Sequence, residues 1–326
     1  MFRLRLVRQE TKFDFFQASR FWLGLSAALM VLSIGVFLVK GLNYGIDFRG
    51  GTMITAATEA PVDVGLYRDT LSTLEVGDFA VTEIFDPAAE ITGSVPNQVT
   101  IRIEQQGDDP AIQQSVIVDV KQALDAAFPG IQYLQTDSVG AKVSGELVQA
   151  GVLAILLAIA AVLFYIWLRF EWQFSVGAVA ALVHDIVLTI GVFSIIGLEF
   201  NLAIIAAILT IVGYSLNDTV VVFDRVRENL RRFKKTPLRE VLNLSINETL
   251  SRTFMTSATT LLALIALYVL GGDVIRGFTF AMIWGVVVGT YSSIFVASTI
   301  LLRLDVKRDW DKKDPAAGTQ FADVDA

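Results

Sequence analysis

The chain has 326 residues, 54% of them hydrophobic, with a mean hydropathy of +0.58 and a net charge of −7. Soluble globular proteins are about 45–50% apolar, so this composition describes a membrane protein. Zero cysteines and a single histidine exclude a disulfide framework, a thiolate metal site and a histidine-rich metal site.

Residues 1–20 carry Arg3, Arg5, Arg8, Lys12 and Arg20 ahead of an apolar run over 21–39. That run is about long enough to cross a bilayer. It ends in Leu38, Val39 and Lys40 rather than in the small residues of a cleavage site, so it is expected to stay as an anchor. A cytoplasmic N-terminus (1–20) and a first transmembrane helix (21–40) follow from this.

Between 41 and 145 hydropathy falls and acidic residues dominate, from Asp47 to Asp137. About 100 residues is enough for a small folded domain. Periodicity predicts strands at 52–58, 80–85, 98–104 and 131–139 and helices at 62–76 and 110–128, the second helix capped by Asp109 with Pro110 in its first turn. The βαββαβ order is that of a ferredoxin-like α+β domain. At its start, GIDFRGG (45–51) contains Asp47 and the pair Gly50-Gly51, which predicts a tight turn into the first strand. No Gly-Lys-Ser/Thr follows, which argues against a phosphate-binding loop.

Five more apolar runs, at 148–168, 174–196, 202–223, 254–270 and 278–302, bring the spans to six. The short links at 169–173, 197–201 and 271–277 make successive helices antiparallel neighbours. The fold class is therefore a helical membrane protein, with six transmembrane helices and one periplasmic α+β domain between helices one and two. A basic loop (225–251) carrying Arg225, Arg227, Arg231, Arg232, Lys234, Lys235 and Arg239 interrupts the five-helix domain of 146–305. Cytoplasmic segments are rich in Lys and Arg, so this loop, the N-terminus and the tail with Lys307, Arg308, Lys312 and Lys313 are assigned to the cytoplasm. The acidic domain then faces the other side, and 306–326 reads as a disordered cytoplasmic tail.

Inside the fourth run stands Asp218, in GYSLNDTVVVFDRVREN (213–229). A carboxylate in hydrocarbon costs roughly 2.5–3.5 kcal/mol on a lone helix, so it must face protein or water and have a partner. The next span begins SRTFMTS (251–257), which places Arg252 at comparable depth on an antiparallel neighbour. Burial favours the neutral acid and a nearby guanidinium favours the carboxylate, so moving the arginine changes proton occupancy. The bland counterpart is a static ion pair, or an arginine reaching back to water. His184 and Asp185 sit near the middle of the third span, where a proton relay and a hydrogen-bonded structural role are both open. Asn217, with Tyr214, Ser215 and Thr219, is placed to hydrate or hydrogen-bond the region, while Gly213, Gly285 and Gly289 allow close helix approach.

GIDFRGG, LVHD (182–185), GYSLNDTVVVFDRVREN and SRTFMTS occur here in the order in which they occur in the SecD/SecF family of protein-export membrane proteins, relatives of the resistance-nodulation-division transporters. The chain resembles that family over roughly 12–305. The Asn217-Asp218 pair and six spans without a large extra domain favour its SecF branch. The resemblance implies a bacterial inner-membrane subunit with both termini cytoplasmic, joined to SecD beside the SecYEG channel. It implies that proton flow is coupled to periplasmic domains that hold a translocating preprotein. It makes Asp218 the proton carrier and Arg252 its charge partner, with Asp185, His184 and Asn217 nearby. No cofactor, metal or enzymatic activity is implied; the partners are protein and membrane lipid. The acidic domain has no basic footprint for nucleic acid.

Two other classes compete. A proton-coupled small-molecule or lipid transporter of the wider superfamily would use the same carboxylate, yet would need two pseudo-symmetric halves. An aspartyl intramembrane protease would use Asp185 and Asp218 as its acid pair, but Ser215-Leu216-Asn217 precedes Asp218 where those families place Gly-x-Gly.

Overall fold

The computed structural model describes residues 11–58, 60–74, 76–84, 97–107 and 109–306. Arg3, Arg5 and Arg8 of the N-terminus and the basic tail from Lys307 onward lie outside the described residues. The first apolar run forms α1 (Ser19–Lys40). Gly41, at φ +70°, ends it, and Lys40 Nζ donates to Ile195 O on the third span at 2.7 Å. After β1 (Asn43–Tyr44) the GIDFRGG segment makes one helical turn, α2 (Ile46–Arg49), before the chain enters a sheet.

That sheet belongs to an α/β unit built in the order β2 (Gly51–Thr58), α3 (Val64–Ser72), β3 (Phe79–Ile84), β4 (Asn97–Ile103), α4 (Pro110–Ala127) and β5 (Gln132–Val139). Its strands lie in the order β3-β4-β2-β5 with every neighbouring pair antiparallel. Alternation along each strand sends Ile54, Ala56, Val99, Ile101 and Ile103 to one face, where Tyr67 and Leu71 of α3 and Val120 and Leu124 of α4 cover them. Each such large apolar side chain contributes about 1.5–3 kcal/mol on burial. The helices start where the sequence supplies oxygens for orphan amides: Asp63 accepts from Gly65 N and Leu66 N, and Asp109 from Ala111 N. Helix α3 is shorter than the predicted 62–76 because Asp63 fixes its start and it ends at Ser72.

Gly51 has φ +120°, and a Cβ there would run into Ile103 O. Gly51→Ala is therefore expected to cost about 1–3 kcal/mol and to lower the melting temperature of the purified chain; an unchanged melt would contradict the geometry.

Five further spans follow: α5 (Ala141–Arg169), α6 (Trp172–Ile196), α7 (Leu202–Arg232), α8 (Leu238–Leu270) and a sixth made of α9 (Asp273–Ser292), one π-helical turn (Ser293–Ala297) and α10 (Ser298–Arg303). With α1 there are six helices long and apolar enough to cross a membrane. The third and sixth are the most buried and form the centre, while α1, α5 and α8 lie at the periphery. Gly285 and Gly289, one turn apart on α9, lie against Ile211 and Ser215, so the sixth span packs closely on α7. Among the described residues, nothing lies within 4 Å of a Cβ on Gly213.

The link expected as a basic loop over 225–251 is a helical hairpin. Helix α7 runs on to Arg232, α8 begins at Leu238, and only 233–237 connects them. Val226 and Leu230 on one arm and Val241, Leu242 and Ile246 on the other are buried at helical spacing. Buried Asn229 donates to Ser245 Oγ (3.1 Å) and to Glu248 Oε2 (2.7 Å) across the two arms. Arginines dominate the composition of this stretch but occupy its outer face. The segment before α1 packs on the same hairpin: Phe13 N and Phe15 N donate to Asn247 and Asn243, and Asp14 pairs with Arg239 at 2.8 Å. The hydrogen bond from Asn243 is the largest influence holding the exposed Asp14 carboxyl below its ordinary value.

Candidate functional site

Asp185 lies at the centre of the bundle, 1% exposed on α6. Its Oδ2 accepts from Ser215 Oγ of α7 (2.7 Å) and from Ser292 Oγ of the sixth span (2.8 Å), and its Oδ1 lies 3.0 Å from His184 Nδ1. One carboxylate thus joins three helices. The sixth span changes from α to π geometry at Ser293, immediately after Ser292, and π turns inside α-helices frequently mark functional sites. His184 is as buried as Asp185, its Nε2 has no hydrogen-bond partner among the described residues, and its ring lies 5.9 Å from that of Tyr291. With the neutral imidazole protonated on Nδ1, that proton goes to Asp185 and Nε2 presents a lone pair.

Asp218 is on α7, three residues beyond Ser215. It is 3% exposed, and its buried Oδ2 has no hydrogen-bond partner among the described residues. The side chain therefore points into protein, as the cost of charge in lipid requires. Asp185 is pinned by hydroxyls and an imidazole; Asp218 Oδ2 is not held in this way. Arg252, on α8, is exposed, and among the described residues no ion pair joins it to Asp218. Asn217 is exposed on α7, turned away from the buried side that holds Asp218. Tyr214 Oη donates to Thr260 Oγ1 at 3.4 Å and does not join the acids.

Sequence reasoning brought His184, Asp185 and Asp218 into one bundle but missed Ser292 and gave Ser215 only a general role. A serine in an apolar span carries little signal, because hydroxyls pack transmembrane helices everywhere. Asp185→Leu is expected to strand the donors of Ser215, Ser292 and His184, at about 1–3 kcal/mol for each group left unsatisfied. Less folded chain in the membrane, with Asp185→Asn retaining more of it, would bear this out; equal levels for wild type and Asp185→Leu would not.

The turn of GIDFRGG does more than reverse the chain. Asp47 Oδ2 accepts from Leu202 N (2.9 Å), which caps the start of the helix that carries Asp218. Among the described residues no group of His, Asp and Glu is arranged to hold a metal ion.

Six helices long and apolar enough to cross a membrane, with an α/β unit between the first two and ionisable side chains buried in the bundle core, define a polytopic membrane protein. Residues 119–307 match the family model of the protein export membrane protein SecD/SecF, C-terminal, and residues 35–62 match the SecD/SecF GG motif. The chain is 51% identical over 325 residues to the protein translocase subunit SecF of Cereibacter sphaeroides, an alignment covering 100% of this chain and 99% of the relative. It is 50% identical over 321 residues to that of Rhodobacter capsulatus, covering 97% and 96% of the two chains. Among solved structures, SecDF of Thermus thermophilus, described as a translocon-associated membrane protein, superposes with a TM-score of 0.79 at 36% identity, over 92% of this chain and 39% of that one. SecDF in a super-membrane-facing form gives 0.65 at 34% identity, over 93% and 40%. The chain thus spans about two fifths of the length of those two structures. It belongs to the SecD/SecF family, among the SecF subunits of protein translocase.

Proposed function

We propose that the chain, joined to SecD beside the SecYEG channel, uses the proton gradient to drive late, ATP-independent stages of preprotein translocation across the inner membrane. Asp218 carries the proton, Arg252 is its mobile charge partner, and Asp185 with His184 anchors the three helices around them. The observation that carries this reading is Asp218 itself: a carboxyl buried in the bundle, with one oxygen left outside the hydrogen bonding that fixes Asp185. A group that must take up and release a proton is better served by such freedom than by three fixed partners.

The α/β unit over 41–145 is read as a periplasmic, ferredoxin-like domain, which its strand order supports, and it would hold the emerging chain. Both termini and the 225–251 hairpin are assigned to the cytoplasm by their arginines and lysines. The reading makes the chain a transport subunit without enzymatic chemistry, and its surroundings are SecD, the channel, the preprotein and membrane lipid.

The experiment is preprotein transport in inverted membrane vesicles carrying the chain with SecD, with the gradient intact or collapsed by a protonophore. The gradient is expected to speed the stage that follows ATP use. Equal rates in the two conditions, with the complex present, would contradict the reading.

A further inference from the structure

The stretch between the first span and the sheet is tied to the start of α7 by contacts that the proton site does not use. β1 pairs in parallel with β6 (Glu199–Phe200), and Gly45 N donates to Phe200 O at 2.9 Å. A Cβ on Gly45 would lie 2.6 Å from Glu199 Oε1 and 3.2 Å from Asn201 Cβ, so a side chain there would push Glu199 aside. These contacts, like the Asp47 cap on Leu202, come from the connecting segment. The body of the α/β unit reaches the same place with Arg102.

Arg102 stands on β4, an internal strand held between β3 and β2. Its Nη1 donates to Tyr44 O (3.3 Å), its Nη2 donates to Asn43 Oδ1 (3.2 Å), and Nη1 lies 3.6 Å from Glu199 Oε2. The two side chains are 25% and 35% exposed, which places the pair partly out of water. Burial pushes the Glu199 carboxyl above its ordinary value, Arg102 pulls it back, and the charge of Asp47 adds to the rise. Two hydrogen-bond acceptors and a carboxylate set around one planar guanidinium suit arginine and not lysine.

We propose that Arg102 and Glu199 are a positioning pair through which displacement of the α/β domain is passed to α7 and so to Asp218. The inference rests on the export reading above. Because β4 is fixed in register on both sides, it cannot move without carrying Arg102. Glu199 lies three residues before Leu202, and from Leu202 the helix runs unbroken to Asp218, about 24 Å away at 1.5 Å per residue. A continuous helix passes a tilt or a shift at one end to the other.

The test uses the full chain with SecD in inverted membrane vesicles, comparing Arg102→Met, Glu199→Gln, the double variant and Asp218→Asn as reference. Each single change is expected to reduce the gradient-dependent part of export about fivefold, and the double no further; independent roles would multiply to about twenty-fivefold. Arg102→Lys, which keeps the charge and loses the fork, is expected to behave like Arg102→Met. The amount of assembled complex and its melting temperature should match wild type, whereas a mere staple between domains would lower both. Full gradient response in the single variants beside an inactive Asp218→Asn overturns the pair while leaving the proton site standing. Multiplied losses, or losses that track the amount of folded chain, overturn it as well. If Asp218→Asn keeps the response, the proton role of Asp218 fails instead, and the pair is still scored on its own loss.

Discussion

Asp218→Asn is expected to insert and fold like wild type and to abolish the part of export that depends on the proton gradient, leaving the ATP-driven part unchanged. The two side chains have nearly the same shape, and a neutral amide in the bundle costs less than a carboxylate. Folding therefore has no reason to fail. What is lost is a proton that can come and go. One charge crossing 100 mV releases about 2.3 kcal/mol, enough to bias a two-state domain movement roughly fifty-fold. Without the carboxyl of Asp218 buried on α7 that bias disappears, and the gradient response should fall to background. Rates of preprotein transport measured with and without a protonophore give the answer directly.

Arg252→Met is expected to reduce the same response about tenfold, the change produced by a loss of about 1.4 kcal/mol of charge–charge interaction. Arg252 is exposed on a peripheral helix and makes no ion pair with Asp218 among the described residues, so its side chain has room to move toward the buried acid or away from it. Such freedom is what the proposed switch would require. Arg252→Lys is expected to fall well short of wild type, because a point charge on a flexible stem does not reproduce a planar fork. A response in Arg252→Met equal to wild type would make this residue an interfacial anchor that reaches for water, with no part in the proton step.

Much of the architecture was legible because apolar runs of span length and the switch to period-2 alternation are strong local signals. The six helices, the order of the sheet elements and the cap at Asp109 each depend on a few consecutive residues. The helical hairpin over 225–251 was hidden by its own charge. Arg225, Arg231 and Arg232 dominated the reading, although Val226, Asn229, Leu230, Val241 and Ser245 repeat at helical spacing and are buried between the arms.

The acids of the bundle were found one by one, since an ionisable residue inside an apolar run is conspicuous. Their partners were not. Ser292 and Asp185 are 107 positions apart, and nothing local in either stretch announces that they meet. Arg102 and Glu199 are separated likewise, one reading as an ordinary strand residue and the other as a link between spans. Asp47 looked like a turn residue, and its service to Leu202 depends on a parallel strand pair only two residues long. Contacts between distant stretches are set by the packed whole, which no window of sequence contains.

The most direct measurement of the central claim is infrared difference spectroscopy on the reconstituted complex, following the carboxylic acid C=O stretch as a proton gradient is imposed and withdrawn. A band should appear and disappear with the gradient in wild type and be missing in Asp218→Asn, while Asp185→Asn retains it. A spectrum without such a band, or one that is the same in Asp218→Asn, would contradict the account.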